Sequence, residues 1–548
     1  MSQNTKTEDQ KHESRSRFIR IVFAVLIVFV YFFGLTIPLL GPDEPRYTQV
    51  AREMFERGDW VTPTLGGFDW FEKPALLYWL QIASFHIFGV TEFAARFGSA
   101  LFGLGTIFCL WILGRKWTES SEQWLEEERK TEAQSSKFKA ENSKTDFADW
   151  IALTAASSIG LIAFARGASF DIILTFPITA SLAGFFIWEI SRREHRKHGK
   201  MLNEHEKSSV FSASSAALFS FYFFIGVAMI AKGLVGIVFP FAIAVFYYVL
   251  SRRFPPKEFI FSLVWGTLLS LAVASIWYLP MYITNGWKFI DEFFIQHHFQ
   301  RYTSNKYQHP QPFWFFWLVL PLMTIPWLPF FLASLRNLIK GFFQRKNAKT
   351  QKDNETPKTQ DLRLTTFALS WMLVPLVFFS ASGSKLPGYI LPALPAAIIL
   401  TAVYVYEFVR KSEKRRAGLQ ILAFLTFVII FVLLQFFVEP LVRHDTTKNL
   451  VRAASEKGFN DEKILTLHTI SHNLEFYGAG RLVRLPDGKQ RYFYGTAEIA
   501  EYIRINEKKP VLVFLPVERI GELNENPQIT AEILGDNGEH ALAAVSLK

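Results

Sequence analysis

The sequence predicts a polytopic α-helical membrane protein that carries a small soluble α/β domain at its C-terminal end. Three observations carry that expectation. Half of the 548 residues are hydrophobic, 56 of them phenylalanine, and the mean hydropathy is +0.17. The apolar residues gather into runs of about 20, the length that crosses a bilayer as a helix. From His444 onward the composition turns abruptly polar, as in a water-soluble domain.

Charge orders the elements. Residues 1–17 are polar and basic and read as a cytoplasmic N-terminal tail. Residues 18–40 read as the first spanning helix and not as a cleavable signal, because no small-residue cleavage pattern follows them. Further apolar runs cover residues 93–113, 150–164, 170–190, 211–230, 234–250, 259–283, 313–335, 364–382, 389–409 and 419–438. Basic clusters at residues 192–197, 252–257, 336–352 and 410–416 occupy alternate connections, and positive loops stay in the cytoplasm. Residues 75–90 are apolar enough for a short span. Were they to cross, all those clusters would face outward, so they are expected to lie along the outer surface as an amphipathic or re-entrant helix. The expectation is 11 spans, with the N-terminus inside and the C-terminal domain outside.

The multi-span region then covers residues 18–440, with an extracytoplasmic loop at 41–92, and the soluble domain covers 441–548. Residues 117–149 and 346–363 are charged, lack apolar periodicity and read as solvated cytoplasmic loops. In the tail, KILTLHTI, RLVRLP and PVLVFLP read as strands, HNLEFYGAG as a short helix closed by glycine, and Thr496 as the cap of the helix AEIAEYIRI. No glycine-rich phosphate loop is present. The net charge of +10 belongs to cytoplasmic loops and not to a nucleic-acid surface. The single cysteine, Cys109, lies in an apolar run, which excludes an intramolecular disulfide and a thiolate metal cluster.

The chemistry falls on one side. Residues 41–80 hold Asp43, Glu44, Arg46, Glu72 and Lys73 among Trp60, Trp70, Phe71, Tyr78 and Trp79. Arg166, Asp171, Lys232, His297, His298, Arg301 and Lys385 lie in other connections on that outer side. A carrier places its charges near the midplane, whereas these gather at one water–lipid boundary. Cations converging from separate loops suit a phosphate or diphosphate headgroup. Taken singly, each reads better as a lipid-headgroup anchor, and only their convergence favours a site. An acid beside such a phosphate repels it, so Asp43 and Asp171 stand out as groups that handle an acceptor or orient a cation. Asp43 precedes Pro45, and a helix N-cap is its structural alternative. Glu72 with one histidine makes a partial metal site.

These motifs resemble a known family. DEPRYTQVAREMFERGDWVTP followed by FEKPALLYWL is similar to the first extracytoplasmic loop of the bacterial 4-amino-4-deoxy-L-arabinose transferases, and AKGLVG, HHFQRY and SKLPGYILP resemble that family's later segments. That family belongs with the dolichyl-phosphate-mannose–protein mannosyltransferase relatives, polytopic glycosyltransferases of the GT-C fold with about 11–13 spans. The resemblance covers roughly the first 400 residues. It implies a multi-pass protein of the bacterial inner membrane whose periplasmic site moves a sugar, with inversion, from a polyprenyl-phosphate donor to a lipid A-like, other envelope or protein acceptor. By motif, Asp43 and Asp171 match the family's acids, and Arg46, Lys73, Lys232, Arg301, Lys385 and Tyr389 match positions around the donor. Glu72 and His298 match a pair able to hold a divalent metal, although the sequence requires no cofactor. Ala75 stands where a second proline is common, and Gly388 where a threonine is common, which alters the sugar pocket. The competing expectations are a protein O-mannosyltransferase-like enzyme and a non-catalytic lipid transporter.

Overall fold

The computed structural model describes residues 2–131, 146–198, 204–300, 310–348, 361–506 and 509–548. Helices α1 (Ser2–Phe32), α2 (Asp43–Arg57), α3 (Leu76–Phe88) and α4 (Glu92–Thr131) open the chain. They are followed by α5 (Asp146–Ala156), α6 (Ile159–Ala165), α7 (Phe170–His198), α8 (Glu204–Lys232), α9 (Val235–Leu250) and α10 (Lys257–Ile290). The bundle closes with α11 (Phe315–Met323), α12 (Leu328–Ala348), α13 (Asp361–Ser380), a 3-10 turn (Pro387–Ala393), α14 (Leu394–Val409) and α15 (Glu413–Leu433).

Among the described residues, seven helices are long and apolar enough to cross a membrane, or nine if each of two bent pairs is one span. The apolar half of α1 and the 16-residue α9 are not among them, so by length and composition the expected eleven is not reached. Helix α3 has 13 residues. At about 1.5 Å per residue it reaches roughly 20 Å, short of a hydrocarbon core of about 30 Å. It packs on α2 and α4.

Two expected single helices are broken, and each break completes the other. The run at 150–164 bends by 60° between α5 and α6, where the hydroxyls of Ser157 and Ser158 turn back onto the carbonyls of Leu153 and Thr154 at 2.6 Å. The run at 313–335 bends by 119° between α11 and α12. The Ile159 amide, freed by the first break, donates to the Ile325 carbonyl in the second at 2.8 Å, and Trp327 Nε1 reaches Ser157 Oγ at 2.9 Å. Backbone at membrane depth must find such partners within the protein. The charged segment from 117 is not a loop at its start: α4 continues as one helix to Thr131. Pairs such as Arg115–Glu119 at 3.0 Å, spaced i,i+4, support that extension. Of the second charged stretch, 346–363, residues 349–360 lie outside the described residues.

The spans at Phe170–Arg193 and Pro387–Val409 have 83% of their apolar windows buried, against 11% for Glu413–Val442. The first two form the centre of the bundle and the third its lipid-facing edge.

The C-terminal domain is a mixed five-stranded sheet in the order β4-β3-β5-β7-β6, from β3 (Ile464–Leu467), β4 (Tyr492–Phe493), β5 (Val511–Pro516), β6 (Ile529–Asp536) and β7 (His540–Leu547). The first two strands of the bundle's outer loop, β1 (Thr64–Leu65) and β2 (Phe68–Asp69), form a separate hairpin. KILTLHTI and PVLVFLP are strands as expected, and the short helix at Asn473–Tyr477 ends at Gly478. RLVRLP is not a strand; it makes only the isolated bridges Ile464↔Leu482 and Arg484↔Gln490. Thr496 does not cap its helix: Gly495 holds the N-cap position and Thr496 Oγ1 accepts from Asn526 at 3.1 Å.

Candidate active site

The outer ends of the helices converge on one cavity of about 960 Å³. Its walls come from the end of α1, the start of α2 and α4, the α6–α7 junction, the α8–α9 turn, the α13 to 3-10 connection and the end of α15. The basic clusters at 192–197, 252–257 and 410–416 lie at the opposite ends of α7, α9 and α15. Eight of the residues singled out in the sequence line it: Asp43, Glu44, Glu72, Lys73, Arg166, Asp171, Lys232 and Tyr389.

One wall is built at the centre of the bundle. Asp171 stands in the first turn of α7 and Lys232 is the last residue of α8. Lys232 Nζ donates to Asp171 Oδ1, and the same ammonium sits 5.0 Å from the centroid of the Tyr389 ring. Gly388, beside Tyr389, makes this arrangement possible. A Cβ there would overlap the Asp171 carboxylate and come 2.8 Å from the Phe164 ring. The carboxylate occupies the space a side chain would take.

The second wall joins Glu44 and Arg166, both singled out in the sequence, to Arg96, which was not. Arg96, 2% exposed, donates to Glu44 at 2.6 and 3.0 Å and to the carbonyls of Leu35, Ile37 and Pro38. Glu44 also accepts from the amides of Leu40 at 2.7 Å and Ala168 at 2.6 Å. Burial alone would raise the Glu44 carboxyl, but the Arg96 charge and these amides outweigh it and hold the acid below its ordinary range. One ion pair thereby pins the end of α1, the start of α2, α4 and the α6–α7 junction together. Arg166 sits beside it and donates to the carbonyls of Val30 and Phe33 at 2.5 Å each. The signal for Arg96 was present: an arginine inside an apolar run marks a partner.

Asp43 opens α2, but it is not a cap. Pro42 holds the N-cap position with no side-chain cap, and Asp43 Oδ1 accepts from Arg46 Nη2 at 2.5 Å. Arg46 also donates to the Pro42 carbonyl at 2.9 Å and lies 5.9 Å from the Trp70 ring centroid, outside the cavity lining. Burial works against its charge, yet Asp43, Glu72 and Tyr47 hold the guanidinium above its ordinary range. Glu72 accepts from Lys73 at 2.7 Å. Lys385 is buried behind the lining and donates to the Ser382 carbonyl at 2.6 Å. Arg301 lies outside the described residues, as does the side chain of His298. Among the described residues no three His, Cys, Asp or Glu side chains gather as a metal site, and Glu72 faces an ammonium.

The outer loop is held from both sides. Glu53 accepts from Thr64 Oγ1 at 2.7 Å and from the Gly66 amide at 2.6 Å, which fixes the hairpin. Trp277 of α10 donates to the Val61 carbonyl at 3.0 Å. From above, Tyr477 of the C-terminal domain accepts from the Leu39 amide at 2.9 Å and donates to Glu92 at 3.2 Å, while Lys448 pairs with Glu92 at 2.5 Å. Arg52 meets the Phe476 carbonyl at 3.5 Å, and Arg484 packs so closely on Gly66 that a Cβ there would strike its guanidinium.

Fold and site together define a multi-pass membrane protein of GT-C architecture, with a charged cavity at one end of the bundle under a docked soluble domain. Comparison with known proteins gives the same class. The family described as dolichyl-phosphate-mannose-protein mannosyltransferase matches residues 16–125. The chain is similar to undecaprenyl phosphate-alpha-4-amino-4-deoxy-L-arabinose arabinosyl transferases. That of Shewanella sediminis is 26% identical over 435 residues, covering 77% of this chain and 66% of the relative. That of Yersinia enterocolitica is 29% identical over 399 residues, covering 72% of this chain and 60% of the relative. The match thus spans about three-fifths to two-thirds of these relatives' length. ArnT from Cupriavidus metallidurans bound to undecaprenyl phosphate superposes with a TM-score of 0.69 at 21% identity, covering 96% of this chain and 97% of that one. Its apo form gives 0.67.

Proposed function

We propose that the protein is a glycosyltransferase that moves a sugar from a polyprenyl-phosphate donor to a lipid A-like acceptor at the periplasmic face of the bacterial inner membrane, with inversion. The observation that carries this reading is the cavity itself, in which two acids and several cations meet an apolar wall. Phe378, Phe379, Leu433, Leu434 and Val438 line that wall at the lipid-facing edge, where a polyprenyl chain can enter from the bilayer.

Lys73, Lys232 and Tyr389 suit the donor phosphate, and Arg301 joins them by its motif alone. Before the donor arrives Lys232 is held by Asp171. A phosphate competing for that ammonium weakens the pair and frees the Asp171 carboxylate for the acceptor. An acceptor oxygen then attacks the anomeric carbon as the bond from that carbon to the phosphate oxygen breaks, and polyprenyl phosphate departs with the electron pair. A hydroxyl acceptor delivers its proton to Asp43 or Asp171; a phosphate acceptor needs no such step. Arg46 and Lys385 stand outside the lining and act as supports, Arg46 by holding Asp43. The donor brings its own activated leaving group, so the chemistry needs no nucleotide, and no step of this scheme is routed through a metal.

Incubation of the purified chain with radiolabelled polyprenyl-phosphate sugars and a membrane-lipid extract tests the reading. Labelled acceptor, identified by mass spectrometry, is the expected result. Neither transfer nor hydrolysis across a broad donor panel would leave a non-catalytic lipid-export role in its place, and label on protein would make the acceptor a polypeptide.

A further inference from the structure

The C-terminal domain brings a histidine to the site. Its short helix, Asn473–Tyr477, lies against α2, where Phe476 meets Arg52 and a Cβ on Gly480 would stand 3.8 Å from Gln49 Nε2. Arg46, Gln49 and Arg52 follow at intervals of three along α2, so they share the face turned to the domain. His472 holds the N-cap position of the short helix but makes no side-chain cap bond. Its Nδ1 is buried without a partner among the described residues, and a buried polar atom left so calls for an explanation. Of the charges acting on the ring, Arg46 is the strongest, then Asp43 of the same helix and Arg484 of the domain itself. Burial and the Arg46 charge together hold the imidazole below its ordinary range, so the ring is neutral at pH 7.

Arg46 has donors to spare. Its Nε is used by the Pro42 carbonyl and its Nη2 by Asp43, while a guanidinium carries five N–H groups. We propose that His472, as the neutral imidazole, is a positioning residue for the Asp43–Arg46 pair, supplied to the site by the C-terminal domain. The inference rests on the glycosyltransferase reading and deepens it. A neutral ring offers the guanidinium a lone pair and steadies it on Asp43. An imidazolium repels Arg46 and competes for the Asp43 carboxylate. Asp43 therefore keeps its working arrangement only while the ring is uncharged.

Two measurements on the full-length, detergent-purified chain test this. The first titrates the ring without turnover: the rate at which diethyl pyrocarbonate modifies His472, read by mass spectrometry, follows the neutral fraction. Its midpoint should lie below about 6.5 in the wild type and rise in Arg46→Gln. A midpoint that Arg46→Gln leaves unmoved would overturn the inference. The second follows sugar transfer against pH. His472→Ala should lower kcat about 10-fold, with undecaprenyl phosphate affinity held within about threefold. Wild-type activity should fall as pH drops through the ring's lowered value. His472→Gln accepts a hydrogen bond at every pH, so it should recover most of the rate and lose that acid fall. His472→Ala combined with Asp43→Asn should be little worse than Asp43→Asn alone. A His472→Ala chain that melts earlier yet keeps wild-type kcat would make the residue part of the helix start only. An acid fall identical in wild type and His472→Gln would remove the ring from the site. A wild type that transfers no sugar sinks the transferase reading alone, because the titration still decides whether the ring faces the pair.

Discussion

Replacing Gly388 with alanine adds one methyl group where the structure leaves no room. The new carbon would overlap Asp171 Oδ2 and press on Phe164. An oxygen must stand about 3.4 Å or more from a carbon for ordinary contact, so the carboxylate has to retreat by about 1.6 Å. The retreat stretches the bond to Lys232, a partly buried charge-assisted contact worth about 1.5–3 kcal/mol. Overpacking adds about 1–3 kcal/mol of strain. A reacting group displaced by about 1 Å loses on the order of 10²-fold in rate, so kcat should fall by about 10- to 100-fold and the melting temperature should drop. The assay is sugar transfer from a polyprenyl-phosphate donor, run for Gly388→Ala, Asp171→Asn and the double variant. If Gly388 acts through Asp171, the double variant should be little worse than Asp171→Asn. A Gly388→Ala enzyme with unchanged kcat, or losses that simply multiply, would refute the reasoning.

The other predictions concern the remaining charges. Asp43→Asn should lower kcat by on the order of 10²-fold while keeping donor affinity, since no capping role exists to preserve; measured turnover near wild type would remove Asp43 from the reaction. Lys73→Ala should instead weaken undecaprenyl phosphate binding, more so at low salt, as titrations at two ionic strengths would reveal. Because the Glu44 carboxyl is held below its ordinary range, its stabilisation is present above about pH 4.3 and disappears as pH falls through the lower folded value. Melting curves from pH 7 down to about 3.5 should therefore fall more steeply for wild type than for Glu44→Gln. Transfer should survive exhaustive EDTA treatment; activity restored only by an added divalent cation would contradict the metal-free scheme.

Much of the bundle was legible because the bilayer demands long apolar runs. The cavity residues Asp43, Glu72, Lys73, Asp171 and Lys232 were legible because each is polar where an apolar run begins or ends, whereas Tyr389 came from the motif resemblance alone. Arg96 was not, since it hides within such a run and its partner Glu44 lies 52 residues away. The paired breaks at Ser157 and Ile325 were equally hidden, because each is stable only through a hydrogen bond to the other. Strands β6 and β7 read weakly because AEILGD and HALAAVSL are rich in helix-favouring alanine and leucine, and their strand character comes from antiparallel pairing. RLVRLP has the opposite defect: strand-like residues with a partner on too few positions.

The hydrogen bond from the Leu39 amide to Tyr477 joins residues 438 positions apart. Ribosomes add about 5–20 residues per second, so the loop bearing Asp43 waits roughly 20–90 s for its anchor. During that interval every spanning helix can enter the membrane while α2 lacks Tyr477, Arg484 and the Glu92–Lys448 contact. A chain cut short before Lys448 keeps all the spans and none of these fastenings. Docking of the C-terminal domain on this early loop thus follows synthesis of every span, and the cavity takes its final form only afterwards.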